Sequence, residues 1–196
     1  MVHQSLSKYN IILASKSPRR QQFFKDLGLN FEVRLKPVVE DYPTRLRHFE
    51  ISDYLAQLKA IPFKDELTDR DILITSDTIV WHDNKALGKP GTASEAFQIL
   101  KSISDQTHEV ITSVCFTMKS FQKTVNATTQ VTFKELTDDE INYYINTFQP
   151  YDKAGGYGIQ EWIGKIGITH MEGSYFNVMG LPTHLVYKTL NDMVKA

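Results

Sequence analysis

Two short apolar runs do most to limit how this chain can fold: residues 9–14 (YNIILA) and residues 71–75 (DILIT), each suited to a buried strand and each followed by polar residues. Ser15-Lys16-Ser17-Pro18 breaks the first run ahead of a helical pattern over 19–27, which Gly28 closes. Residues 31–35 alternate as a strand should. Residues 50–60 place Ile51, Tyr54, Leu55 and Leu58 at the spacing of a helix with one buried face. Strand and helix alternate through this half, which points to an α/β fold.

After the second run, residues 79–82 stay extended until Asp83-Asn84, a turn pair that returns the chain to Ala86-Leu87 as a hairpin. Residues 93–103 read as a helix with Thr92 or Ser94 near its N-cap. Residues 109–118 and 125–136 are long β-branched stretches that pair through the polar turn between them. Thr137 and Glu140 form a capping-box pattern that opens a helix over 140–148. Gly155, Gly156 and Gly158 exclude a good helix or a packed strand interior and predict a shaped loop. Beyond it lie a strand over 166–171, a second glycine-bounded loop over 172–181 and a closing helix over 182–194 with proline at its start. The expected fold is mixed α/β with an antiparallel portion. A chain of 196 residues buries about 70% of its unfolded surface, enough for one core without staples.

Charge and composition narrow the function. The net charge of −1 gives no global field to recruit nucleic acid or an anionic membrane, so any anion site must be built locally. The single cysteine, Cys115, has no disulfide partner and lies in the apolar stretch Val114-Cys115-Phe116, as expected of a buried, inert thiol in a reducing compartment. Residues 1–8 lack a charged segment followed by an apolar run, and no stretch approaches the roughly 20 apolar residues of a membrane span, so a cytosolic protein is expected. Histidines 3, 48, 82, 108, 170 and 184 show no paired spacing and no cysteine partner, which argues against zinc; any metal here would be hard and oxygen-bound. Neither G-x-x-x-x-G-K-[ST] nor G-x-G-x-x-G occurs, and Ser174 lacks the second glycine of a nucleophile elbow.

Three segments can carry chemistry. Ser17 can cap the helix that starts at Pro18, and Arg19 and Arg20 in its first turn oppose the helix dipole unless an anion neutralises them. They read either as surface arginines paired with carboxylates or as phosphate ligands. Asp77, directly after the second apolar run, puts a carboxylate at a strand's C-terminal end, where it can take a proton from water, hold a divalent metal or simply serve a turn. Ser76 and Thr78 flank it with hydroxyls. Lys89 in Gly88-Lys89-Pro90 is held extended by the proline, as a solvated lysine or a ligand.

Five segments in this order, Ser15-Lys-Ser-Pro-Arg-Arg20, Ser76-Asp-Thr78, Gly88-Lys-Pro90, Asp152-Lys-Ala-Gly-Gly-Tyr-Gly-Ile-Gln160 and Gly173-Ser-Tyr-Phe-Asn-Val-Met-Gly-Leu-Pro182, resemble the Maf family of nucleoside triphosphate pyrophosphatases over about residues 10–190. The resemblance implies a bent mixed sheet flanked by helices, like that of inosine triphosphate pyrophosphatases, in one domain over 1–196 with the site in a cleft between two lobes. It also implies cleavage between the α- and β-phosphates with a divalent metal, Mg²⁺ or Mn²⁺. In that family's terms Asp77 is the proton acceptor for water. Ser17, Arg19, Arg20, Lys59 and Lys89 face the polyphosphate, and Glu40 with Asp77 meets the metal. Arg20, Thr78 and Gln160 match the branch that acts on thymidine and uridine triphosphates, and a glutamine amide can pair with the O4 and N3–H edge of uracil or thymine. Asp152 and Lys153 line the base side or form a structural ion pair. Ser76, where many members have alanine, and Lys16, where small residues are common, depart from the pattern. A homodimer is plausible by the same resemblance. The rival expectations are a pyrophosphatase for a modified purine triphosphate, such as 7-methyl-GTP or ITP, and a non-catalytic nucleotide-binding regulator of septum formation.

Overall fold

The computed structural model describes residues 6–195; His3 and most of the segment read against a secretory signal lie outside the described residues. Its strands are β1 (Asn10–Leu13), β2 (Phe31–Val33), β3 (Asp71–His82), β4 (Lys85–Leu87), β5 (Thr107–Thr117), β6 (Gln122–Phe133) and β7 (Ile168–Glu172). The helices are α1 (Pro18–Asp26), α2 (Phe49–Leu58), α3 (Ala93–Ile103), α4 (Asp138–Phe148), α5 (Trp162–Gly167), α6 (Tyr175–Val178) and α7 (Thr183–Met193). The strands form one open mixed sheet in the order β2-β1-β3-β5-β6-β7, with β4 added to β3. The chain divides into two compact units: one runs up to Asp77 and takes in Thr112–Ala127 and the segment from Gly180 onward, and the other comprises Thr78–Ile111 and Thr128–Met179.

In the first unit β1 lies between parallel neighbours, Ile11 opposite Phe31 on β2 and opposite Ile72 on β3. Apolar residues fill β1 because both faces are covered, as parallel strands require. Ile12 and Leu73 are fully buried and pack with Phe63 and Leu67, Phe63 coming from a 3-10 turn over Ile61–Glu66. α1 starts as expected: the Ser17 hydroxyl accepts from the Arg20 backbone N–H at 3.4 Å, and Pro18 takes the first position. α2 buries Ile51, Leu55 and Ala56, whereas Tyr54, on the edge of that stripe, is exposed.

In the second unit Val80 pairs with Leu87 across the β3–β4 hairpin. Asp83 and Asn84 both take positive φ, 48° and 59°, the signature of a tight primed turn. Thr92 is the N-cap of α3. Thr137 and Glu140 complete the capping box of α4. α3 contributes Leu100 and Ile103, β6 contributes Val131 and Phe133, and α4 contributes Ile141 and Tyr144 to one core with Ile163 of α5. β6 pairs antiparallel with β7, with a register shift at Thr132/Phe133.

Four segments differ from the sequence reading. β3 continues straight through Ser76-Asp77-Thr78, so Asp77 stands within a twelve-residue strand rather than at its tip; the extended chain is carried on to reach β4. Residues 162–167 form a helix that includes Ile166, because Gly164 lets the turn close on Ile159: a Cβ there would stand 2.0 Å from that residue's carbonyl oxygen. A short helix, α6, capped by Ser174, interrupts the second glycine-bounded loop. β2 ends at Val33, short of Leu35.

Candidate functional site

The first unit gathers the groups of opposite charge. Asp77 on β3 is 7% exposed, and its Oδ1 lies 2.5 Å from the Nζ of Lys59, the C-cap residue of α2. The same ammonium lies 3.2 Å from Oε2 of Glu40 in the segment between β2 and α2. One lysine thus bridges two carboxylates that are 37 residues apart by number, 77 less 40. Arg20 adds the guanidinium: its Nε donates to the Gly180 carbonyl at 2.8 Å and its Nη1 to the Ser76 carbonyl at 2.9 Å. The second bond ties α1 to the residue immediately before Asp77. Burial pushes the Arg20 guanidinium below its ordinary pKa; the Asp77 carboxylate opposes that shift, Arg19 adds to it and Glu40 opposes it.

Ser15 and Ser17 shape the turn that carries the arginines. The Ser17 backbone N–H donates to the Ser15 hydroxyl at 3.2 Å, and the Gln21 amide donates to the Ser15 carbonyl at 3.0 Å. Arg19 Nε and Ser76 Oγ are buried without a hydrogen-bond partner among the described residues. Ser15 and Gly180 escaped the sequence reading as individual residues, although both stand inside segments that it singled out. Lys16 is exposed.

A divalent metal has a fitting donor set here in Asp77 and Glu40. Both offer oxygen, and two carboxylates completed by water and phosphate oxygens are the usual way a small hard cation is held. Among the described residues no group of three or more His, Cys, Asp or Glu stands ready as a protein-only cage, and Cys115 is buried as expected.

Thr78, Lys89 and Gln160 belong to the second unit. Lys89 is exposed, and the carbonyl of Gly88 beside it accepts from the Gly155 N–H at 3.0 Å, which fastens the Gly88-Lys89-Pro90 turn to the glycine-rich loop. Gln160 is half-buried at the end of that loop. Lys153 is buried and paired, its Nζ 2.7 Å from Asp152 Oδ1 and 3.1 Å from Glu161 Oε1, so of the two readings of Asp152 and Lys153, base side or ion pair, the ion pair is present, and it extends to Glu161.

The chain belongs to the Maf-like protein family, whose model matches residues 10–193. A protein of Flavobacterium johnsoniae named dTTP/UTP pyrophosphatase is 59% identical over 194 residues, covering 99% of this chain and 100% of its own. A Christiangramia forsetii protein of the same name is 54% identical over 196 residues and covers 100% of both. The solved structure of the Staphylococcus aureus Ham1 protein overlays with a TM-score of 0.46 at 14% identity, over 63% of this chain and 71% of the other. No helix among the described residues is long and apolar enough to cross a membrane.

Proposed function

We propose that this chain is a nucleoside triphosphate pyrophosphatase that hydrolyses dTTP and UTP to the nucleoside monophosphate and pyrophosphate, clearing the nucleotide pool of the cytoplasm as a homodimer. One observation carries the reading: within a single unit, Asp77, Lys59, Glu40 and Arg20 converge, which pairs a buried carboxylate base with cations able to absorb phosphate charge. Relatives named for that activity, 59% and 54% identical over nearly the whole of both chains, support it.

Asp77 accepts the proton of the water that attacks the α-phosphorus, and the pyrophosphate leaves with the electron pair of the α–β bridging bond. Lys59, already against Asp77, positions the carboxylate and meets the phosphate oxygens. Arg19 and Arg20, delivered by the first turn of α1, face the polyphosphate, with the buried Arg19 Nε supplying a directed donor. Ser17 holds that turn in place, and Lys89 offers a further cation to the departing pyrophosphate. When Mg²⁺ or Mn²⁺ is bound by Asp77 and Glu40 together with the substrate, it supplies charge neutralisation across the phosphates. Thr78, Arg20 and Gln160 set the preference for a pyrimidine base, the Gln160 amide meeting the O4 and N3–H edge.

A panel of UTP, dTTP, ITP and 7-methyl-GTP tests the reading. UTP and dTTP are expected to rank first for the wild type, and Gln160→Glu is expected to reorder the panel. A panel led by 7-methyl-GTP or ITP would replace the substrate class, and binding of UTP with metal but no turnover would replace the enzyme with a regulator.

A further inference from the structure

Gln160 has a difficulty built into its chemistry. A primary amide offers a donor and an acceptor side by side, so it meets both groups of one base edge only if the backbone that carries it stands in a fixed place. Glycine-rich segments are poor at this, since glycine loses more conformational freedom on ordering than any other residue. The second unit holds this segment with a group that neither the sequence reading nor the reaction uses.

Tyr144 of α4 is fully buried, with its ring stacked on Phe148 at 5.2 Å. Its hydroxyl makes two bonds. It accepts from the Gly158 backbone N–H at 3.0 Å, two residues before Gln160, and it donates to the Glu161 carboxylate, one residue after. The same carboxylate closes an ion pair with Lys153 at the start of the loop. Burial, and then the hydrogen bond to Glu161, raise the Tyr144 pKa, which keeps the donor proton on the oxygen. The Gln160 side chain folds back against this anchor, its Nε2 3.2 Å from where a Cβ on Gly158 would stand.

We propose that Tyr144 is a positioning residue for base recognition, its single hydroxyl fixing the chain on both sides of Gln160 so that the amide is held at the place where it meets the base. The inference rests on the assignment of Gln160 to the base. The two bonds of the Tyr144 hydroxyl fall on Gly158 and Glu161, on either side of Gln160, so its loss is expected to act on recognition of the base more than on chemistry.

Tyr144→Phe removes the oxygen and keeps the ring. The expected result is a KM for UTP raised about tenfold, in line with losing a hydrogen bond to a charged group, with kcat within about twofold. The inhibition constant of inorganic tripolyphosphate, a triphosphate without a base, is expected to stay the same. Glu161→Gln, which keeps an acceptor for the Tyr144 proton, is expected to retain more of the UTP affinity than Glu161→Ala. Adding Tyr144→Phe to Gln160→Ala is expected to cost little beyond Gln160→Ala alone. An unchanged KM for UTP in Tyr144→Phe, or a tripolyphosphate constant weakened by the same factor as UTP, overturns the proposal. Should Tyr144→Phe not fold, the Glu161 pair decides it, equal UTP affinities in Gln and Ala variants being the overturning result. If Gln160→Ala itself leaves UTP affinity untouched, the assignment of Gln160 falls, and this inference with it. If the wild type does not turn over UTP, the enzyme reading has failed.

Discussion

The proposed reaction concentrates its chemistry in one carboxylate, Asp77, and the surroundings of that group state what removing its charge should do. Its Oδ1 meets Lys59, and its backbone neighbour Ser76 is bound by Arg20. Asp77→Asn keeps the size and shape of the side chain, so the strand should persist while the proton acceptor is lost. Wild-type thermal melting is expected, with a kcat for UTP lower by roughly 10²-fold or more, as the loss of a general base entails; a variant with near-normal turnover would remove Asp77 from its role. The residue types at this site were legible because each is placed by local order: Ser17 by its cap, Arg20 by the first turn of α1, Asp77 by the apolar strand. Lys59 and Glu40 were reached only through family resemblance: Lys59 follows a helix whose period marks its buried face alone, and Glu40 lies outside any helix or strand, in residues 34–48 without a readable period. What no local pattern contains is the long-range bond, such as Arg20 Nε to the Gly180 carbonyl, 160 residues away.

Among elements, those with a strong period or a cap were readable. β1, the β3–β4 hairpin, α3 and α4 match because apolar spacing and the capping residues agree with one another. α5 was missed because Trp162-Ile-Gly-Lys-Ile-Gly167 carries two glycines that speak against a helix until the approach of the Ile159 carbonyl is known. β3 was cut short because the polar residues Ser76-Asp77-Thr78 follow the apolar run and place Asp77 at a strand end, yet the strand runs unbroken through them. β5 and the glycine-rich loop are joined by His108, whose Nε2 lies 2.7 Å from the Tyr157 hydroxyl. Its Nδ1 is buried without a hydrogen-bond partner among the described residues. Burial, with a smaller effect from His82, pulls the His108 pKa down to about 3. Unfolded, the same imidazole titrates near the ordinary value of about 6.5. Between those values the unfolded chain binds a proton that the native chain does not, so stability rises with pH across that window, by up to about 1.4 kcal/mol per pH unit, and levels off above it. Urea midpoints at pH 4.5, 5.5 and 7 should therefore climb more steeply in the wild type than in His108→Gln; equal slopes would mean that His108 is not the group responsible.

At the scale of the whole molecule, a net charge of −1 leaves no long-range pull on polyanions, so a triphosphate must be captured by local cations. The reaction proposed for Asp77 fixes which bond should break. The most direct measurement is hydrolysis of UTP by the purified protein in H₂¹⁸O, with mass analysis of both products. Attack of water on the α-phosphorus predicts ¹⁸O in UMP and unlabelled pyrophosphate. Label in the pyrophosphate, or UDP and inorganic phosphate as products, would contradict the account.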